Sequence, residues 1–127
     1  AKNVWTVGYY NNRNGILQTL IEHWNGKSWS VITSPNIGSG YNFLYGVAAI
    51  SAKNVWAVGS YTDSNGLSQA LIEHWNGTSW SVVASPNPGS SVNSLNAVAR
   101  VSRGGLIWAV GYESNTTTQT TLTEFYC

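Results

Sequence analysis

An offset of 51 residues relates one stretch of this chain to the next, and it restricts the fold more than any other feature. Lys2-Asn3-Val4-Trp5 returns as Lys53-Asn54-Val55-Trp56, and Leu20–Gly26 (LIEHWNG) returns unchanged as Leu71–Gly77. With residues 2–52 set against 53–103, 31 of the 51 positions are identical, too many for shared composition alone. A third, partial copy carries Ile107-Trp108-Ala109-Val110-Gly111 and then Leu122-Thr123-Glu124-Phe125-Tyr126. The chain reads as a single repeat array, 1–52, 53–103 and 104–127, and a fold of stacked like units is expected.

Turn chemistry divides each repeat into four short strands. Asn54–Gly59 is apolar and β-branched around a Trp. Gln69–Trp75 follows a loop with Asn65-Gly66, a hairpin pair. Ser79–Ala84 comes after Asn76-Gly77-Thr78, and Pro86 and Pro88 then end pairing because proline cannot donate to a ladder. A Ser/Gly/Asn loop leads to the fourth strand, Leu95–Ser102. No window shows a helical apolar period or a capping box before an apolar run, so the fold is all-β.

Four antiparallel strands in about 50 residues is the size of one β-propeller blade. A single four-stranded sheet cannot cover both its faces, whereas stacked blades bury each face against a neighbour, which explains strands apolar on both sides. Trp5, Trp56 and Trp108, with Val7, Val58 and Val110 beside them, are expected in equivalent buried positions, and Trp29 and Trp80 in the same inter-blade core. The four strand types occur two, three, three and two times, ten strands or about 2.5 blades. Rings use at least about four blades, so a closed, isolated monomer is not expected. Either further blades belong to a longer polypeptide or copies assemble, and head-to-tail contacts that fail to close give a fibre.

The repeat resembles the kelch family of β-propellers. Val55-Trp56-Ala57-Val58-Gly59 matches its apolar strand ending in glycine, and Glu73-His74-Trp75-Asn76-Gly77 with Trp80 resembles its second strand, turn and Trp. The chain departs from the kelch pattern in having one Gly where a doublet is common, and a spacing of five from Trp24 to Trp29 and from Trp75 to Trp80. It is also similar to the WxVG-type repeats of secreted bacterial propellers. The resemblance implies a propeller fold and, since kelch-like propellers are mostly binding scaffolds with an oxidase minority, it favours binding over catalysis.

Composition narrows the partners. Six Lys and Arg against five Asp and Glu leave a net charge of +1, and the basic residues are scattered, so no field steers nucleic acid to the chain. No apolar run approaches the roughly 18 residues of a membrane span. The chain contains no Met, which implies a processed N-terminus or a piece of a longer protein. Its one cysteine is the last residue, Cys127, so no internal disulfide forms. Few charges among abundant Ser, Thr, Asn and aromatics suit a secreted or cell-surface protein.

No constellation of acid, base and nucleophile is present, and no cofactor or metal is called for. His23 and His74 are repeat-equivalent, and the third copy has Phe125 at that position, so a structural role is expected. Glu22, Glu73 and Glu124 recur in all three copies, where a repeated hydrogen bond to the next blade's backbone is expected. Identical repeats imply identical environments, which argues against splitting two carboxyl pKa values for hydrolysis. One Asp in the chain, Asp63, excludes an Asp-rich Ca²⁺ loop. Aromatics after the glycines (Tyr9, Tyr10, Tyr61, Tyr112), and Tyr41 and Tyr45 near the long loop, are expected in exposed loops. If the chain binds glycans as a lectin, the expected contacts are Tyr10, Asn14, Tyr61, Asn65 and Tyr112. Asn76-Gly77-Thr78 and Asn115-Thr116-Thr117 fit the N-glycosylation pattern, so Asn76 and Asn115 are candidate modification sites. The Thr-rich run Thr116–Thr121 is a candidate for O-linked sugar. Two functions follow: a non-enzymatic structural or interaction scaffold that assembles, or a carbohydrate-binding propeller.

Overall fold

Asn and Gly set the turns, and they do so at repeat-equivalent places. Gly15 and Gly66 adopt φ of 75° and 78°, and Gly26 and Gly77 adopt 99° and 98°, left-handed values that a side chain disfavours. Asn12 Oδ1 accepts the backbone N–H groups of Asn14 and Ile16, and Asp63 Oδ1 those of Asn65 and Leu67. Each hairpin is thus closed by a side chain imitating backbone. The Asp63 carboxyl is held below its ordinary pKa by Gln69 and by these N–H groups.

The computed structural model describes residues 1–101 and 104–127. These form ten strands and no helix. They are β1 (Val4–Asn11), β2 (Leu17–Trp24), β3 (Trp29–Ile32), β4 (Asn42–Ser51), β5 (Asn54–Thr62), β6 (Ser68–Trp75), β7 (Trp80–Val83), β8 (Val92–Arg100), β9 (Ile107–Ser114) and β10 (Gln119–Tyr126). The strand end expected at Ser102 and the repeat boundary at Arg103 lie outside the described residues. Among the described residues no helix is long and apolar enough to cross a membrane.

The strands fold as three antiparallel meanders. β1-β2-β3 is a sheet of its own. The second meander, β4-β5-β6-β7, and the third, β8-β9-β10, belong to one seven-stranded sheet. Among the described residues a single parallel pair, Ser68↔Val92, links them. The described strands do not close into a ring.

The strands run past the glycines that were expected to end them. Gly59 lies mid-strand in β5, where an added Cβ would strike the Phe43 carbonyl of β4, and Gly111 of β9 meets the Ser94 carbonyl of β8 in the same way. Glycine here admits a neighbouring backbone. Gly8 in β1 has open space instead. The long loops are pinned by buried asparagines: Asn42 holds Ile37 and Gly40, and Asn93 holds Gly89 and Gln69.

Two apolar layers join the meanders. Trp5 and Ile21 of the first pack on Leu44, Val55, Ala57, Leu71 and Trp80 of the second. Trp56, Val58, Ala70 and Ile72 of the second pack on Leu95, Ile107, Ala109 and Leu122 of the third. Three expected core positions lie elsewhere: Trp108 and Val110 are each 43% exposed and Trp29 is 48% exposed. They occupy the sheet faces against which no further described sheet lies. Val7 is half-buried and packs beside the first layer.

Candidate functional site

The repeated glutamates do not share an environment, which corrects the expectation drawn from their repetition. Glu124 is buried and accepts hydrogen bonds from Ser85 Oγ at 2.6 Å and Tyr126 Oη at 2.7 Å. Burial, and then this carboxylate, raise the Tyr126 phenol pKa. Glu73 is fully buried and neither of its oxygens has a partner among the described residues. Burial pushes its pKa up to about 8. Glu22 is half-buried on the first meander. The expected backbone hydrogen bond is formed by neither Glu73, which has no partner, nor Glu124, whose carboxylate meets two hydroxyls.

The cause is local. The equivalents of Ser85 and Tyr126, 51 residues earlier, are Ser34 and Trp75. The Ser34 hydroxyl lies 2.7 Å from Thr19 Oγ1, and Trp75 Nε1 donates to the Ala52 carbonyl at 3.2 Å. Thr19 corresponds to Ala70, which offers no hydroxyl to draw Ser85 away.

The histidines sit within the junctions. His23 stacks on Trp5 and His74 on Trp56, each with ring centroids 4.3 Å apart. His23 Nε2 meets Asn3 Oδ1, and His74 Nε2 donates to Asn54 Oδ1 at 2.9 Å. Burial lowers the His74 pKa. Among the described residues no three His, Cys, Asp or Glu are grouped as metal ligands.

The aromatics expected in loops stand on strands: Tyr9 and Tyr10 in β1, Tyr61 in β5, Tyr112 in β9 and Tyr45 in β4, with Tyr41 just before β4. Pleated strands carry them past the glycines, so their direction is set by the sheet. Tyr10 is exposed, donates to Gln18 Oε1 at 3.0 Å and lines a cavity of about 400 Å³ with Thr19, Ser34 and Asn36. Asn14 and Asn65 are exposed at the hairpin tips. Tyr61 is half-buried against the first apolar layer. Asn76 and Asn115 are exposed, and each side chain caps its own turn: Asn76 Oδ1 accepts from Thr78 and Ser79, Asn115 Oδ1 from Thr117 and Thr118. Cys127 is an exposed free thiol.

Where β4 and β8 approach each other, a cleft of about 350 Å³ is lined by Tyr45, Ser94, Asn96 and Tyr112. Tyr45 and Asn96 are both bulged residues. Pairing jumps from Leu44↔Gly59 to Gly46↔Val58, and from Leu95↔Gly111 to Ala97↔Val110, leaving the residue between them unpaired. A bulge re-aims its side chain. Tyr45 extends into an aromatic patch: it stacks on Phe43 at 5.9 Å, and Tyr9 meets Phe43 edge-on at 5.0 Å. Of the five residues expected to contact glycan, Tyr112 alone lines this cleft. Ser94 and Asn96 escaped the sequence reading. The signal available was that Asn96 stands 51 residues after Tyr45, which disguises the shared bulge behind two unlike residue types.

No protein-family model matches the sequence, and no curated protein is significantly similar to it.

Proposed function

We propose that this chain is a kelch-like, β-propeller-type repeat module: a non-enzymatic extracellular scaffold that works by stacking four-stranded blades of about 51 residues, its own and those of a neighbour, face to face. The observation that carries this is the shared arrangement of the two internal junctions. In each, the Trp-bearing face of one meander (Trp5 and Ile21, then Trp56 and Ile72) covers the opposite face of the next (Val55 and Leu71, then Ile107 and Leu122). The faces left uncovered are the complementary pair. The third meander presents Trp108, Val110 and Phe125, the last 62% exposed, and the first presents Trp29 and Val31, the latter 66% exposed. Apolar surface of this kind, at about 25 cal/mol per Å², favours covering by a matching sheet. Gly8 supports a fourth strand for the first blade, since it keeps free, at the edge of β1, the space that Gly59 gives to β4 and Gly111 to β8 within their own sheets.

Placement outside the cell is supported by the exposed turns that hold Asn76 and Asn115. The partners are thus further blades or other copies of the chain, through neutral apolar faces rather than through charge. A carbohydrate-binding role is the second reading, favoured by the cleft at Tyr45 and Asn96. Sedimentation velocity over a range of concentrations tests the stacking: mass should rise above that of one chain, and Trp108→Lys should suppress the rise. A folded species at the mass of one chain throughout sinks the proposal.

A further inference from the structure

The cleft between β4 and β8 has the features of a small binding site, and they do not depend on assembly. Two bulges, at repeat-equivalent positions in two different strands, direct Tyr45 and Asn96 into one cavity. A bulge forfeits ladder hydrogen bonds, so its appearance in both of the long strands that begin a meander marks a feature the fold retains at a cost.

The chemistry of the lining is specific. Tyr45 is 44% exposed and is held by stacking on Phe43. Tyr112 is half-buried on the opposite strand pair. Ser94 is buried, and its Oγ donates to Asn96 Oδ1 at 2.8 Å. That bond occupies an acceptor of the amide and leaves the Asn96 Nδ2 hydrogens free to donate outward. The lining therefore offers aromatic surface, two phenol hydroxyls and an oriented amide, and it contains no charged side chain. Aromatic surface beside a fixed donor suits a ligand with one apolar C–H face and a rim of hydroxyls.

We propose that this cleft binds a neutral pyranose, with Tyr45 and Tyr112 as platforms for the sugar's C–H face and Asn96, set by Ser94, donating to a ring hydroxyl. This rests on the carbohydrate-binding reading and assigns it to one site. The stacking of sheets stands or falls separately.

Saturation-transfer difference NMR on the full chain, with the methyl glycosides of glucose, galactose, mannose and N-acetylglucosamine as probes, is the test. It reads the ligand and so tolerates assembled protein. At least one glycoside should show saturable transfer. Asn96→Ala and Tyr45→Ala should each weaken it about tenfold or more, while Tyr45→Phe, which keeps the platform, should change it far less. Asn65→Ala should leave it unchanged. Both Tyr45 and Asn96 are exposed, and Trp fluorescence of each variant verifies that the fold persists. Saturable binding that survives Asn96→Ala and Tyr45→Ala but is lost in Asn65→Ala overturns this site and leaves the carbohydrate reading in place. No saturable transfer with any of the glycosides overturns both.

Discussion

The junction between the first and second meanders and the junction between the second and third are built largely from repeat-equivalent residues, yet only one of them satisfies its buried carboxyl group. Glu124 receives two hydroxyls and Glu73 receives none. The difference traces to two substitutions within otherwise like repeats, Thr19 for Ala70 and Trp75 for Tyr126. A hydroxyl added at position 19 withdraws Ser34 from the interface, and an indole at position 75 aims its donor at the Ala52 carbonyl instead. Repetition copies a residue's type but not its neighbours, and burial then turns that small difference into a titratable defect.

The largest effect should separate covered from uncovered tryptophans. Trp56→Ala removes a buried indole from the second junction and is expected to cost about 3–5 kcal/mol, whereas Trp108→Ala, at the same register on an exposed face, should cost well under that in dilute protein. Denaturant midpoints of the two variants decide it. Equal losses would mean that the third meander's outer face is covered after all.

Next comes pH. Glu73 holds its proton more tightly in the fold than in the unfolded chain, so its contribution lowers stability as pH climbs from about 4.5 to about 8 and levels off above. The change amounts to a few kcal/mol, at about 1.4 kcal/mol for each unit. Glu73→Gln should flatten that slope and raise stability at pH 8. Glu124→Gln should instead destabilise, by about 1–2 kcal/mol, because two hydroxyls each donate to a different carboxyl oxygen and the amide offers only one. Thermal melts from pH 4 to 9 measure both, and matching signs for the two variants would erase the contrast between the junctions.

The smallest effect is the most diagnostic. Thr19→Ala frees the Ser34 hydroxyl, and Trp75→Tyr supplies a phenol where Tyr126 stands in the other junction. Either change should bring the Glu73 pKa down toward the ordinary carboxylate range, with net stability altered by about 1 kcal/mol or less. Carboxyl ¹³C titration reads this directly. An unmoved pKa in the double variant would show that the hydroxyls are not what distinguishes the two sites.

Much of the fold was legible because turns announce themselves. Asn-Gly pairs, the Ser-Pro-Asn segments and the 51-residue echo delimit ten strands, and ten strands are present among the described residues. What sequence could not give was opposition. Trp29 and Trp80 are the same residue in the same local string, and one is half exposed while the other is buried, because only Trp80 has a sheet facing it. The same holds for Trp56 and Trp108. The cleft was hidden for another reason. A bulge is a count of residues along a ladder, and nothing in the identities of Tyr45 or Asn96 signals that each lies unpaired. Tyr112 was visible as an aromatic after a glycine, but its cleft partners come from β8, 16 to 18 residues earlier in the chain, and from β4, 67 residues earlier.

Among the described residues one strand pair, Ser68↔Val92, connects the second and third meanders, and no strand pairing joins the first to the second. Side chains, not a backbone ladder, therefore carry any pull directed along the row of sheets. Under tension such an array would part between sheets before any sheet tears, since side-chain packing holds the meanders to one another and hydrogen-bonded ladders hold each to itself. A chain of this construction would give under force in discrete steps, more like a stack of plates than a rope.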